Sequence, residues 1–160
     1  MITELVSNST EDTLEIARSL GKILVPGDVI ALTGDLGAGK TCFCKGIGET
    51  LGIPSGRVVS PTFTIATEHE GVLPLNHIDV YRLDTALEAV EVGLGEILAG
   101  TKGVCVVEWA EKVEELLPTD SIRVTFVISC DHRRKIVVSG PEQDRFATFH
   151  KLTTRFSARG

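Results

Sequence analysis

Eight consecutive residues, Gly34-Asp35-Leu36-Gly37-Ala38-Gly39-Lys40-Thr41, satisfy the pattern G-x-x-x-x-G-K-[S/T]. Glycines at these spacings let backbone N–H groups turn inward around phosphate oxygens with no Cβ in the way. A helix starting at the end of such a loop aims its positive end at the same place. The implied chemistry is the binding of a nucleoside triphosphate, with Gly37, Ala38 and Gly39 lending backbone donors. Lys40 would reach the β- and γ-phosphates and the Thr41 hydroxyl would bind Mg²⁺.

A loop of this kind that hydrolyses its nucleotide also needs an acid at the end of a neighbouring buried strand. Val104-Cys105-Val106-Val107-Glu108 has the more typical apolar run, and Leu75-Asn76-His77-Ile78-Asp79 the more usual acid after a weaker run. Both acids are assigned to the metal site, Asp79 acting mainly through water and Glu108 either coordinating Mg²⁺ or orienting water. Taken alone, each could equally be a helix cap or a surface carboxylate. Ser60-Pro61-Thr62 falls where switch loops meet a γ-phosphate, and its hydroxyls either touch Mg²⁺ or phosphate or belong to an ordinary turn. His77 reads as a packing residue rather than a base. Trp109, the only tryptophan, reads either as core or as a base-stacking neighbour. Cys42 and Cys44 point about 200° apart on a helix, so they cannot share one ion.

Absences narrow the nucleotide. Guanine is commonly read through an Asn-Lys-x-Asp loop, and neither Asn8 nor Asn76, the only asparagines, is followed by lysine. ATP is favoured. Small-molecule kinases need an arginine-rich lid, for which the middle of the chain offers only Arg57 and Arg82.

These residues need a scaffold. Asp28 to Thr33 reads as a strand buried on both faces, and Phe43, Ile47 and Leu51 mark the helix after the loop. Before them come a short strand, Thr3 to Val6, and a helix capped by Ser9 or Thr10. After them, strands are expected around Phe63 to Glu68, up to Asp79 and at Val104 to Val107. Thr85 to Leu98 reads as a helix that Gly93 and Gly95 could break, and Ala110 to Leu117 as a short helix stopped by Pro118. Ile122 to Ile128 and Lys135 to Val138 look like a closing antiparallel pair. The fold class expected is α/β: a P-loop NTPase three-layer sandwich with a largely parallel central sheet and antiparallel additions.

The chain has 160 residues, 42% hydrophobic and 24% charged, which suits one globular domain and excludes disordered or fibrous classes. Residues 1–140 are read as the nucleotide-binding domain and 141–160 as a basic tail. No apolar run approaches a bilayer span, and the start lacks a signal-peptide layout, so a cytoplasmic chain with no membrane partner is expected. Four cysteines without a C-x-x-C pair suggest reduced thiols rather than a zinc site. Residues 1–131 carry 9 Lys/Arg against 20 Asp/Glu (net −11), and residues 132–160 carry 7 against 2 (net +5). An acidic body speaks against a broad grip on nucleic acid. The tail, with Arg133, Arg134, Lys135, Arg145, Lys151, Arg155 and Arg159, is open to contact with an outside anion, while most of these charges read as a solvated hairpin end and frayed terminus.

Four segments, in order, resemble the TsaE family, bacterial ATPases of tRNA threonylcarbamoyladenosine biosynthesis. They are Gly34–Thr41, Ser60-Pro-Thr-Phe63, His77-Ile-Asp-Val-Tyr-Arg-Leu83 and Val107-Glu-Trp109. The resemblance implies an ATP- and Mg²⁺-binding hydrolase, weak alone, that works with a threonylcarbamoyl transferase subunit, TsaD, and its scaffold, TsaB. Its ATP hydrolysis would reset that complex, and tRNA would be reached only indirectly, through it. Carried onto this chain, the resemblance gives Lys40 to phosphate, Thr41 to Mg²⁺, Asp79 and Glu108 to metal and catalysis, and Thr62 to a switch contact. Trp109 would neighbour the site, and Thr10 and Arg133 would make further nucleotide contacts. Cys42 stands where a second threonine is common, and its backbone N–H still suits the α-phosphate. A small-molecule kinase on the same nucleotide site and a nucleotide-gated binding switch remain the alternatives.

Overall fold

Val29-Ile30-Ala31-Leu32 alternate into two separate cores, which is why an unbroken apolar run makes a strand here. The computed structural model describes residues 1–61, 65–130 and 132–158, so the switch contact and strand expected at Thr62, Phe63 and Thr64 lie outside the described residues. The strands are β1 (Ile2–Ser7), β2 (Val29–Thr33), β3 (Ala66–His69), β4 (Leu75–Asp79), β5 (Val104–Glu108), β6 (Ile122–Cys130) and β7 (Arg133–Ser139). They form one sheet in the order β1-β7-β6-β2-β5-β4-β3. The inner strands β6, β2, β5 and β4 run parallel, and β7, β1 and β3 add antiparallel edges.

Helices α1 (Thr10–Gly21), α2 (Lys40–Thr50) and α5 (Arg145–Thr153) cover one face, burying Ile16, Phe43, Ile47 and Phe149 over Ile30 and Leu32. Helices α3 (Ala86–Glu91) and α4 (Leu94–Gly100), with the 3-10 segment Ala110–Leu116, cover the other through Ala89, Leu94 and Val113. Among the described residues no helix is long and apolar enough to cross a membrane.

The helix expected over Thr85 to Leu98 divides at Gly93, one of the two glycines that could break it, whose φ of 84° is left-handed. Leu87 and Val90 are exposed. Sequence-level expectations shift in two places. Ala110 to Leu116 is 3-10 rather than α, with a kink at Val113. Beyond Gly140 the chain is no frayed end. It forms α5, buries Phe146, Phe149 and Phe156, and ties Arg145 to both oxygens of Asp28 at 2.5 and 2.8 Å. Arg155 pairs with Glu15, and Lys135 with Glu4. Three of the basic residues that looked available to an outside anion are therefore held by carboxylates of the body.

The helix that starts at the glycine loop is seated by close approach. A Cβ on Gly46 would stand 2.6 Å from the Ala17 Cβ and 2.8 Å from the Leu14 carbonyl oxygen, so only glycine lets α2 lie this near α1. Gly46→Ala is expected to cost about 2 kcal/mol, the range of an overpacked core. A urea midpoint that falls at unchanged slope would register this, and an unmoved midpoint would contradict it.

Candidate functional site

The loop between β2 and α2 turns on Gly34, Gly37 and Gly39, with φ values of 146°, 77° and 110°. Side-chain-bearing residues rarely adopt these angles, and at Gly34 a Cβ would also meet the Phe126 carbonyl oxygen at 2.8 Å. Gly39 caps α2 in the left-handed conformation, leaving the first N–H groups of the helix without intrahelical partners. Leu36, Gly37, Gly39, Lys40, Thr41 and Cys42 line a cleft of about 490 Å³, whose far wall is Ser60, Asp79, Tyr81, Glu108 and Trp109.

Lys40 is the first residue of α2 and is almost wholly buried. Its ammonium donates to the carbonyls of Gly34 at 2.5 Å and Asp35 at 2.9 Å, and lies 3.9 Å from the centre of the Trp109 ring. Burial lowers its pKa, opposed by the carboxylates of Glu108, Glu111, Asp79 and Asp35. Trp109 itself is the only described non-glycine residue at positive φ, 60°. It is held there between Lys40 and the Tyr81 ring, 4.8 Å away. Non-glycine residues kept in this region gather at functional sites.

Glu108 is 2% exposed, yet both its oxygens are bonded. Oε1 accepts from the Thr41 hydroxyl at 2.9 Å, and Oε2 meets Nε2 of the buried His77 at 2.5 Å. The Thr41 hydroxyl also shares a hydrogen bond with Ser60 at 2.7 Å. Asp79 sits opposite Glu108 in the β4–β5 register, and its carboxylate accepts from the Tyr81 N–H at 2.9 Å. The two strand-end acids thus stand side by side, with Glu108 the one that reaches the loop helix.

Burial pushes the Asp79 carboxyl above its ordinary value, against the pull of the Tyr81 N–H, and Glu108 pushes it further up. The proton is held more tightly in the folded chain than in the unfolded one. Its contribution to stability is therefore present below the unfolded value and lost as pH rises through the folded value. Asp79→Asn is expected to melt higher than wild type at neutral pH, with the gap closing as pH falls below the ordinary carboxylate range. Melting curves in which the gap widened toward acid would contradict this.

A second cleft, about 310 Å³, lies across the loop and is lined by Asn8, Ser9, Thr10, Cys42, His132 and Arg134. Thr10 and Cys42 lie beside the glycine loop. Arg133 does not. It donates to the Asn8 side chain at 3.1 Å and borders a different hollow, with Arg155, while Arg134 reaches the Gly37 carbonyl at 3.4 Å. Neighbouring strand residues face opposite ways, so one position decides which arginine meets the loop. Thr62 is outside the described residues.

Sequence reasoning read His77 as a packing residue, assigned no site role to Arg134 and gave no sign of the Trp109 backbone. His77 did carry a signal: it precedes Asp79 by two residues on a strand and so shares its face. All four cysteines are free thiols, as expected, with Cys44 and Cys105 buried.

Comparison with known proteins agrees with the fold. The model of the family described as "Threonylcarbamoyl adenosine biosynthesis protein TsaE" matches residues 7–136. The tRNA threonylcarbamoyladenosine biosynthesis protein TsaE of Bacillus subtilis is 48% identical over 128 residues, 79% of this chain and 78% of that protein. The TsaE of Treponema pallidum is 41% identical over 134 residues, 84% of this chain and 98% of that one. The crystal structure of Bacillus subtilis YdiB superposes with a TM-score of 0.76 at 36% identity, covering 97% of this chain and 96% of that one. With a family model spanning most of its length and relatives this similar, the chain belongs to the TsaE family.

Proposed function

We propose that the chain is the ATP-hydrolysing subunit of the cytoplasmic machinery that makes N6-threonylcarbamoyladenosine in tRNA. It binds ATP with Mg²⁺ in the glycine-loop cleft, as a P-loop NTPase does, and resets a partner complex between turnovers. The observation that carries this reading is the bond from Thr41 to Glu108, which ties the helix at the end of a glycine loop to the acid at the end of the adjacent strand. Family membership supports the pathway, and the cleft supports the chemistry.

The donor set suits the ligand. Thr41, Ser60, Asp79 and Glu108 present hard oxygens, as Mg²⁺ requires. Among the described residues no three His, Cys, Asp or Glu side chains converge as a metal-holding group. A cation at this site needs phosphate oxygens and water to complete its shell, the habit of Mg²⁺ at nucleotides. The bound nucleotide supplies the phosphoanhydride bond that is cleaved. The loop N–H groups of Gly37, Ala38 and Gly39 hold its phosphates, and the Cys42 N–H the α-phosphate. Lys40 exchanges two carbonyls for phosphate oxygens, a stronger charge-assisted bond. Thr41 and Glu108 hold the cation or its water, and Asp79 acts through water. The nucleoside end lies toward the second cleft, between Thr10 and Arg134.

The partners proposed are the transferase subunit TsaD and its scaffold TsaB. An acidic body whose carboxylates already pair with Lys135, Arg145 and Arg155 of the basic C-terminal stretch favours contact with tRNA through those proteins. Reconstitution tests this: tRNA modification by both partners is followed with and without this chain. Modification should continue past the first turnover only when the chain and ATP are present. Equal multi-turnover yield without the chain would sink the proposal.

A further inference from the structure

His77 is wholly buried on β4, and its ring makes one hydrogen bond among the described residues, from Nε2 to Glu108. Its other nitrogen, Nδ1, has no hydrogen-bond partner among the described residues. Such an orphan is uncommon in a core, and the ring's one hydrogen bond lies at its other end. A carboxylate only accepts, so Nε2 carries the hydrogen in this bond. The opposite oxygen of the same carboxylate takes the Thr41 hydroxyl, at 2.9 Å. Glu108 is thereby clamped between the core and the first turn of α2. Without the ring, Oε2 would be buried and unpaired, and the carboxyl group could rotate away from Thr41.

We propose that His77 is a positioning residue for ATP hydrolysis, holding the Glu108 carboxylate in the rotamer that meets Thr41. It touches neither nucleotide nor phosphate and acts only through Glu108. This rests on the ATPase reading above. Histidine–carboxylate partners of this kind set the orientation of a group that itself serves the metal, and their loss typically costs about 10–100-fold in activity.

His77→Leu removes the donor, whereas His77→Gln places an amide nitrogen the same number of bonds from Cα as Nε2. His77→Leu is expected to lower kcat about 10–100-fold while KM for ATP stays unchanged, and His77→Gln to recover most of the loss. In the background of Glu108→Ala, adding His77→Leu should slow the enzyme no further. A residue that merely filled the core would show no glutamine rescue and would add its loss to that of Glu108→Ala. Independently of activity, NMR of the nucleotide-free protein should show a protected, downfield His77 Nε2 proton that Glu108→Ala abolishes. Equal kcat for wild type and His77→Leu, an unrescued glutamine variant, or absence of that proton overturns the proposal. Should His77→Leu not fold, the glutamine variant and the NMR signal decide. If the wild type forms no ADP, the ATPase reading fails, and the NMR signal alone decides whether His77 holds Glu108.

Discussion

Glu108→Ala is expected to leave ATP binding intact while slowing hydrolysis by orders of magnitude. The carboxylate sits at the end of β5 with Thr41 on one oxygen and His77 on the other, at the far wall from the glycine loop. In the proposed site phosphate binding relies on the loop N–H groups and Lys40, none of which bonds to Glu108, so affinity for ATP should stay near that of wild type. Hydrolysis needs water and cation held in line with the phosphate, and removal of a group in that role typically costs about 100–10,000-fold in kcat. The variant also strands the His77 ring and frees Thr41, so a loss of about 1–3 kcal/mol in stability accompanies it. Nucleotide binding by calorimetry, beside ADP formed per minute, separates the two effects. An Ala variant that turned over like wild type would remove Glu108 from the chemistry.

Lys40→Ala should fail one step earlier, at binding. Each charge-assisted bond lost is worth about 1.5–3 kcal/mol, which is a weakening of Kd by about 10–100-fold. The fold should tolerate the change, because the ammonium is a buried cation whose loss removes a desolvation cost as well as two bonds to carbonyls. Trp109 loses the cation now 3.9 Å from its ring, which makes its fluorescence a direct report on the site. Titration of ATP against that fluorescence in wild type, with binding by the variant measured by calorimetry, checks the prediction. An unchanged Kd would contradict it.

How much of this could be read before the structure depended on how local each feature is. The glycine loop and the two strand-end acids are local. Each is a contiguous run whose composition dictates its element, and the structure brings Lys40, Thr41, Asp79 and Glu108 to one cleft. The partnership of His77 with Glu108 is not local, since it exists only because β4 lies beside β5. Nothing in either strand's own sequence says which strand is its neighbour. Arg134 in place of Arg133 shows the same limit at finer scale, because strand alternation turns a one-residue uncertainty into opposite faces. The C-terminal segment was misjudged by charge. Phe146, Phe149 and Phe156 bury against the core and outweigh the surrounding cations, two of which, Arg145 and Arg155, serve as partners for body carboxylates.

The left-handed backbone of Trp109 belongs to neither class. A tryptophan pays no visible sequence signal for a φ of 60°. It is fixed by what surrounds it, Tyr81 on one side and Lys40 on the other.

The central claim is that this cleft hydrolyses ATP, and ADP formation with Mg²⁺ and both partner proteins present measures it most directly. Wild-type chain is predicted to form ADP over many turnovers, and the Lys40→Ala chain to form none above the partners' own background. No ADP from the wild type, or equal amounts from the two chains, would contradict it.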